Sequence, residues 1–540
     1  MAVIISQTVT NIKADDEEII STALKKLHLD LKKVQRAGVH KKSLDARKNN
    51  DIKLVSSVWA ELKNKTDEQK LSEKYPFCAY HDIDTKHMLP AKCGDEFLKG
   101  RVVIAGFGPA GMFAALTLAE YGYCPVVLER GGCVEERVKA VESFWNNGEF
   151  SEETNVQFGE GGAGTFSDGK LTTRIKDPIC RYILERFAEF GAPEEIMTKA
   201  KPHIGTDKLR AIVKSIREKI ISCGGEVKFH SKLTDVKFSD GKITSVTVNG
   251  CEEIPCGVLI LAIGHSARDT FEMMLEKNIF IEPKPFSVGA RIEHKQVEVN
   301  RSLYGRQFEN PVLPQGEYQL SFRKGDRGVY TFCMCPGGTV VPSQSESETV
   351  VTNGMSEFAR DGENANAALV VSVSPKDYGS NPLDGVKFAR ELERKAFKLA
   401  GSDYKAPACT VGAFLDGKAS LKNAEIVPTY ARGVTECDFR KLFPSAVTDM
   451  MELGLKSFAG KMKCFGDMNA VLTAPETRTS SPVRITRGED LQSVSVKGLY
   501  PCGEGAGYAG GIMSAAADGM RIAIKIIETY NSGKAFPVSN

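Results

Sequence analysis

Residues 101–130, RVVIAGFGPAGMFAALTLAEYGYCPVVLER, decide the fold of this chain. They predict a strand at 102–105, a turn with the spacing G-x-G-x-x-G at 106–111, a helix over 110–121 and a second strand at 126–128. Gly106 permits the tight turn, Gly108 leaves room for a pyrophosphate, and Gly111 lets the helix pack closely on the strand. The complete unit predicts a dinucleotide-binding site.

The acid after the second strand refines this prediction. Glu129 stands 18 residues after Gly111 and can accept hydrogen bonds from a ribose 2′-hydroxyl, which argues against a 2′-phosphate there. The N–H groups of the first helical turn, beside Pro109 and Ala110, would face the phosphates, because the helix dipole favours negative charge at this end. Arg130 completes the predicted contacts of the unit.

FAD and NAD share this fingerprint, and four later segments favour FAD. The first is the glycine-rich stretch QFGEGGAGTFSDGKLTTR at 157–174. Such a loop can lay its backbone against a flat ring or a phosphate, whereas the alternative is a flexible surface loop. The predicted cofactor contacts in it are Gly161, Gly162, Ala163, Gly164, Thr165, Ser167, Asp168 and Lys170.

The second and third segments continue the predicted α/β unit. A helix at 206–223 and a strand at 226–231 lead to Val236, whose backbone is expected to lie near the adenine. The apolar run VLILAIGHS at 258–266 predicts a buried parallel strand that ends at Gly264.

The fourth segment, GLYPCGEGAGYAGGIMSAAADG at 498–519, predicts a strand that ends at Gly503 and a helix that begins near Gly511 and Ile512. Glu504 is expected to bind a ribityl hydroxyl, although Asp is the usual residue there and a simple turn role is the alternative. A second complete unit for NAD(P)H is absent from the sequence. FAD is therefore the predicted cofactor, and NAD(P)H is expected to bind only transiently.

The sequence resembles the poorly characterised bacterial FAD-dependent dehydrogenase family, which is distantly related to flavoproteins with two dinucleotide-binding domains. The resemblance covers nearly the whole chain. It rests on GFGPAG at 106–111, QFGEGGAGTFSDGKL at 157–171, GHSARDT at 264–270, ETRTSSPVRI at 476–485 and GEGAGYAGGIMSAAADG at 503–519. It implies the fold and bound FAD, but no settled substrate.

The predicted fold class is α/β, with a Rossmann-like, glutathione-reductase-like FAD-binding domain. An α+β substrate domain interrupts it, and a small α+β domain precedes it. The predicted boundaries are 1–97 for the N-terminal unit, 98–270 and 486–540 for the two parts of the FAD domain, and 271–485 for the insert. The element order in 1–97 allows a ferredoxin-like arrangement.

Composition is that of an ordinary soluble globular protein. The chain has 540 residues, 42% hydrophobic residues and a formal net charge of +2, so no global charge favours nucleic acid or membrane. No apolar run approaches the ~20 residues that span a bilayer, and the N-terminus lacks a signal-peptide pattern. Nucleic acid is not an expected partner, and the oligomeric state stays open.

A basic stretch at 32–48 is interpreted as a solvated face, with docking of a protein or RNA as the alternative.

The 14 cysteines are scattered without the spacing of a disulfide framework, which predicts reduced thiols in the cytoplasm. No metal site is predicted. Cys333-x-Cys335 is the only close pair, and alternation along a strand would turn both thiols to one face. Packing is the expected role of this pair, with redox chemistry as the alternative.

Four residues are candidates for catalysis, because a flavin carries the redox chemistry and the protein supplies position and charge. Lys170 is expected at the flavin N1–O2 edge. His265 is an acid/base candidate, with packing or capping as the alternative. Arg478 and Arg484 suit a carboxylate or phosphate, or the charge of a reduced flavin, although their segment also reads as an ordered linker.

The expected function is that of an FAD-dependent oxidoreductase, a dehydrogenase or reductase that passes hydride between flavin N5 and a small organic substrate. The substrate would lie between the FAD domain and the insert. A flavin monooxygenase or oxidase is one alternative. A flavin-containing binding protein with structural FAD is the other.

Overall fold

The structure is a computed structural model that describes residues 2–48, 51–82, 85, 88–422 and 424–532. Its first part is a β-α-β-β-α-β unit: β1 Ala2–Thr10, α1 Asp16–Lys26, β2 Val34–Asp45, β3 Lys53–Leu62, α2 Lys65–Lys74 and β4 Cys78–His81. Helix α1 begins where the Asp15 carboxylate accepts a hydrogen bond from the N–H of Glu18, at 2.8 Å. The strand order β2-β3-β1-β4, with antiparallel neighbours, is the ferredoxin-like topology.

The second part contains β5 Glu96–Phe97, β6 Arg101–Ala105, α3 Pro109–Glu120, β7 Val126–Leu128, α4 Val134–Asn147, α5 Ile179–Glu189, α6 Thr206–Ser222, β8 Glu226–Lys228, β9 Leu233–Ser239, β10 Lys242–Val248, β11 Glu252–Leu261 and α7 Arg268–Glu276. Strand β11 is long enough to serve two purposes. Its first half closes the antiparallel meander β9-β10-β11, and its second half pairs in parallel with β6.

The third part contains β12 Ile281–Pro283, β13 Phe286–Lys295, α8 Gln296–Tyr304, β14 Ser321–Lys324, β15 Arg327–Cys335, β16 Thr339–Pro342, β17 Thr352–Met355, β18 Asn364–Val373, α9 Pro375–Tyr378, α10 Asp384–Leu399, β19 Ala406–Thr410, α11 Val411–Leu415, β20 Val434–Glu436, α12 Ser445–Ala459, β21 Val471–Glu476 and β22 Val483–Ile485. A seven-stranded sheet of order β14-β15-β18-β13-β21-β19-β20 forms its centre. Strands β12 and β22 pair where the chain enters and leaves this part.

The chain then returns to the second sheet with β23 Leu499–Pro501, α13 Ile512–Thr529 and β24 Tyr530–Asn531. Strands β8, β7, β6, β11 and β23 lie side by side in parallel. The carboxyl ends of these strands share one edge of the sheet, which is where open α/β sheets bind ligands. The glycine turn, Glu129, Gly264 and Glu504 all follow strands that end at this edge.

Two close approaches require glycine, one between α3 and the turn after β6 and one between α13 and α3. A Cβ atom on Gly111 in α3 would lie 2.0 Å from the carbonyl oxygen of Gly106, and one on Gly519 in α13 would lie 2.0 Å from that of Ala110. Both sites therefore exclude any side chain. Within the described residues, no helix combines the length and apolar character needed to cross a membrane.

Candidate functional site

A cavity of about 500 Å³ lies at the carboxyl edge of the parallel sheet, between this sheet and the insert. One wall comes from the turn after β6, the 157–170 loop and the segments that follow β11 and β23. The other wall comes from the insert, at Glu317–Gln319 on the approach to β14, at 331–334 on β15, and at Thr479. Two separate sheets thus enclose one site.

Most of the cofactor residues predicted from the sequence line this cavity. They are Gly106, Gly108, Pro109, Ala110, Glu129, Arg130, Gly162, Ala163, Gly164, Ser167, Asp168, Lys170, Gly264, Glu504, Gly511 and Ile512. His265 and Arg478 from the predicted catalytic set lie there too.

Four predicted cofactor residues lie behind the lining and support it instead. Gly111 packs on Gly106, as described above. The N–H of Gly161 donates to the carbonyl of Phe107 at 2.9 Å, and the carbonyl of Thr165 accepts from the hydroxyl of Thr206. The N–H of Gly503 donates to the Asp518 carboxylate at 2.7 Å. These residues shape the turns that present the lining.

Val236 does not line the cavity, contrary to the expectation. Its side chain is buried in β9, which belongs to the meander. The chain turns back earlier, because the N–H of Ser231 donates to the carbonyl of Glu129 at 2.9 Å. Ser231 and Leu233 therefore line the cavity where Val236 was expected.

Arg484, expected as a catalytic residue, also lies outside the cavity lining. Strand β22 buries Val483 and Ile485, and alternation turns Arg484 to the exposed side. Its guanidinium lies over the ring of Tyr508, with 5.3 Å to the ring centroid, outside the cavity lining.

The cavity fits a dinucleotide on the chemistry of its lining. A Cβ atom on Gly264, Gly510 or Gly511 would meet nothing within 4 Å, so these glycines border open space. Gly108 caps the N-terminus of α3 with Pro109 as the next residue, and the first-turn N–H groups of such a helix have no intrahelical acceptor. This combination of bare backbone and free donors suits a pyrophosphate.

Glu129 has a second role that the sequence did not indicate. Its buried carboxylate accepts hydrogen bonds from three backbone N–H groups, those of Phe107 at 2.9 Å, Gly131 at 3.0 Å and Gly159 at 2.9 Å. It therefore holds the phosphate turn and the glycine-rich loop together. Its contact with a ribose stays a prediction.

Arg137 shapes the glycine-rich loop and is also missing from the sequence prediction. Its fully buried guanidinium donates to the carbonyls of Asn155, Val156 and Glu160 at 2.8, 2.8 and 2.7 Å, and to that of Gly162 at 2.9 Å. Nothing local marks this arginine, because it stands in an ordinary amphipathic helix, α4.

Lys170 keeps its positive charge inside the cavity. Its ammonium lies 3.0 Å from the Asp168 carboxylate and 2.9 Å from that of Glu317. Burial alone would lower the pKa of Lys170, but these two carboxylates outweigh burial and raise it above its ordinary value. Asp168 is shared with Arg360, whose Nε donates to it at 2.9 Å.

His265 is neutral at physiological pH. Burial, assisted by the charges of Arg478 and Arg268, lowers the pKa of His265 to about 3. Its Nδ1 lies 3.0 Å from the hydroxyl of Ser266.

Arg478 lies in the cavity lining but already has an anionic partner. Its guanidinium contacts the fully buried Glu393 carboxylate at 3.1 and 3.3 Å and also contacts Ser345. Arg268 binds the same carboxylate through two hydrogen bonds of 2.8 Å. Arg478 is thus part of a charged cluster between the two walls.

Glu504 lies in the cavity lining, and burial raises its pKa to about 7, opposed by the charge of Lys284. Its carboxyl group is therefore poised between its charged and neutral forms near neutral pH. The contact of Glu504 with a ribityl hydroxyl stays a prediction.

Comparison with known proteins supports the cofactor. Residues 285–479 match the family described as "FAD-dependent protein, C-terminal domain-like", and residues 2–60 match a domain of unknown function, DUF8436. Together with the dinucleotide cradle, the first match defines an FAD-dependent flavoprotein. An uncharacterized protein of Clostridium beijerinckii (strain ATCC 51743 / NCIMB 8052) is 47% identical over 529 residues, which are 96% of this chain and 98% of the clostridial one. The chain belongs to the same family as that clostridial protein.

Solved structures share only a distant likeness with this chain. The flavin-dependent brominase Bmp2 is 14% identical, with a TM-score of 0.36 over 81% of each chain. Glycine oxidase from Bacillus cereus ATCC 14579 is 11% identical, with a TM-score of 0.29 over 79% of this chain and 95% of the oxidase.

Proposed function

We propose that this flavoprotein is an oxidoreductase of the dehydrogenase or reductase type, which acts on a small organic substrate bound between the FAD domain and the insert. The observation that carries the proposal is the composition of the cavity. Residues of the dinucleotide motifs and residues of the insert sheet line the same space. A purely structural cofactor would not require a second, polar wall with charged side chains facing it.

When bound, FAD would supply the acceptance and donation of hydride at its N5 atom. The backbone at Gly106–Ala110 would hold its pyrophosphate, and the loop at 162–170 together with Gly511 and Ile512 would face its ring system. The glycine cradle, the five parallel strands and the meander support a glutathione-reductase-like arrangement of this domain.

Lys170 would place a positive charge where negative charge develops during the reaction. Its pairing with Asp168 and Glu317 fixes the ammonium and keeps it protonated. A preorganised charge of this kind stabilises a transition state without reorganising solvent.

His265 would present a hydrogen-bond acceptor at Nε2, because its lowered pKa keeps the ring neutral. The amide nitrogen of Gln157 donates to the carbonyl of Ser343 at 3.1 Å, so its amide oxygen faces Ser266 and accepts that hydroxyl proton at 3.1 Å. The Ser266 oxygen is then left to accept from Nδ1–H of His265. This chain of donors fixes the tautomer and leaves the Nε2 lone pair free.

The substrate class stays open, since the expected pair of arginines is not assembled. Arg484 is exposed, and Arg478 is neutralised by Glu393. A cytoplasmic location remains part of the proposal and rests on the scattered cysteine spacing.

The test is anaerobic reduction of the purified holoprotein, followed by its flavin absorbance. Bleaching by NADH or NADPH, or by an organic donor, with slow reoxidation in air supports a dehydrogenase or reductase. Fast reoxidation by oxygen assigns an oxidase or monooxygenase instead. A flavin that dithionite reduces but that no nicotinamide or organic donor reduces would contradict the proposal and favour structural FAD.

A further inference from the structure

The two thiols of Cys333 and Cys335 do not follow the strand alternation that the sequence predicts. The pairing of β15 with β18 shifts register between Phe332 and Cys335. Cys333 sits in this bulge with a φ of +41°, a conformation that is rare for a residue with a side chain. As a result Cys333 lines the cavity, whereas Cys335 is fully buried behind it.

The bulge is held by specific contacts. The buried guanidinium of Arg291 donates to the carbonyl of Cys333 at 2.8 Å and is itself paired with Glu476 at 2.9 Å. The thiol of Cys335 lies 3.4 Å from the same carbonyl. A residue with a side chain keeps a backbone in this region only where its surroundings impose it, and such positions cluster at functional sites.

The charges around Cys333 favour its thiolate. A hydrogen bond from Cys335, together with the positive charges of Arg291 and Lys170, outweighs burial and lowers the pKa of Cys333 to about 6. Asp168 opposes this effect. The same hydrogen bond and burial raise the pKa of Cys335. The pair therefore combines a nucleophilic thiolate that faces the cavity with a protonated partner behind it.

We propose that Cys333 and Cys335 form a redox-active dithiol that exchanges two electrons with the cofactor site. Oxidation breaks the S–H bond of Cys335 and forms one Sγ–Sγ bond between this sulfur and the thiolate sulfur of Cys333. The two electrons and the one proton from Cys335 pass to the oxidised flavin, which becomes the anionic reduced flavin. The reverse step returns them to the disulfide. Cys333 is placed as the thiol that faces the cofactor, and Cys335 as the thiol that closes the disulfide.

The proposal rests on the proposed redox function only for the source of electrons, since formation of the disulfide can be measured on its own. Holoprotein is equilibrated anaerobically in glutathione buffers of increasing potential, its free thiols are alkylated, and the peptide that holds both residues is analysed by mass spectrometry. We expect a reversible loss of two hydrogen atoms from this peptide. Cys333→Ser and Cys335→Ser should each abolish that loss. Cys256→Ser, in a buried strand of the other sheet, should leave it unchanged.

Electron counting supplies the second readout. Reductive titration of the oxidised holoprotein should consume four electrons per chain, two for the flavin and two for the disulfide, whereas Cys333→Ser should consume only two. The proposal would be overturned if both thiols were alkylated separately at every potential. It would also be overturned if the wild-type holoprotein consumed only two electrons per chain. A disulfide that titrates in a protein whose flavin accepts electrons from no nicotinamide or organic donor would sustain the dithiol and reject the proposed function.

Discussion

Glu393 holds the two walls of the cavity together, and its replacement by Gln should loosen them. Its carboxylate is fully buried in α10 and accepts hydrogen bonds from Arg268 of the FAD sheet side and from Arg478 of the cavity lining. The hydroxyl of Thr477 adds a third donor at 2.7 Å. Glu393→Gln keeps the shape but removes the anion, which leaves two buried guanidinium groups to share weaker partners.

The pKa of Glu393 and the usual cost of breaking a buried ion pair give the same magnitude for the loss of stability in Glu393→Gln. Burial alone would raise the pKa of Glu393, but Arg268 and Arg478 hold it at about 2. Relative to an ordinary value of about 4.5, this depression corresponds to roughly 3 kcal/mol. Breaking a buried ion pair by removing one partner typically costs about 3–5 kcal/mol. We therefore expect Glu393→Gln to destabilise this region by about 3 kcal/mol at neutral pH.

The pH dependence has a defined sign. Because the pKa of Glu393 is depressed in the folded protein, its contribution is complete above about pH 4.5 and is lost as the pH falls toward 2. The difference between wild type and Glu393→Gln should therefore shrink in acid.

Hydrogen exchange resolved by peptide is the appropriate assay, because a chain with several sheets does not unfold in one two-state step. Peptides that cover α7, α10 and residues 476–481 should exchange faster in Glu393→Gln. Glu391→Gln, an exposed change two residues away on the same helix, is the matched control. If the free energy of local opening in both variants equals that of wild type to within about 0.5 kcal/mol, the cluster does not join the two walls.

Three further outcomes follow from single residues. Gly108→Ala should fold normally, since its Cβ would meet only Gly162 at 3.7 Å, but should lose FAD because this Cβ occupies the pyrophosphate position. Gly111→Ala should destabilise the fold instead, because its Cβ would lie 2.0 Å from a carbonyl oxygen. Flavin content and thermal unfolding separate the two cases. His294→Phe should leave the local stability of β13 nearly unchanged at pH 8 but raise it by about 2 kcal/mol near pH 5. Burial lowers the pKa of His294 to about 3, whereas the unfolded chain takes up a proton below about pH 6.5. Equal hydrogen exchange of β13 peptides in the two proteins at pH 5 would contradict this. Lys170→Met should lower the two-electron reduction potential of the flavin by about 30 mV or more, because a cation that would stabilise the reduced ring is lost. An unchanged potential in a dye-coupled titration would show that Lys170 does not lie at the flavin edge.

Local patterns in the sequence are sufficient to predict the turns and strand ends that line one side of the cavity. The glycine turn, the ends of β11 and β23 and the start of α13 depend on glycines whose spacing is fixed by backbone geometry, so a short window contains the whole signal. The sequence also holds the pattern that places Arg484 outside the cavity, although Arg484 is expected among the catalytic residues. In Val483–Ile485 a polar residue stands between two apolar ones, and strand alternation turns it away from its buried neighbours.

The remainder of the site depends on contacts between residues distant in the chain. Arg268 and Glu393 are 125 residues apart, and Arg291 and Glu476 are 185 apart. No local pattern distinguishes these charged residues from the exposed ones beside them. The bulge at Cys333 is equally invisible, because TFCMC alternates regularly and only the pairing with β18 shows the shift.

The buried charges between the two walls set the position of the insert more sharply than an apolar interface would. Arg268, Arg390 and Arg478 face Glu272, Glu346 and Glu393 in one cluster. An apolar contact tolerates sliding, because its free energy follows the buried area. Hydrogen-bonded ion pairs do not tolerate sliding, since a shift of one residue leaves a buried charge without its partner. This requirement fixes the register between α7 and α10, and thereby the distance across the cavity. The proposed reaction between a bound cofactor and a substrate at the insert would depend on that distance. This dependence gives a physical reason for charged groups in an interface where apolar side chains of the same volume would also fold.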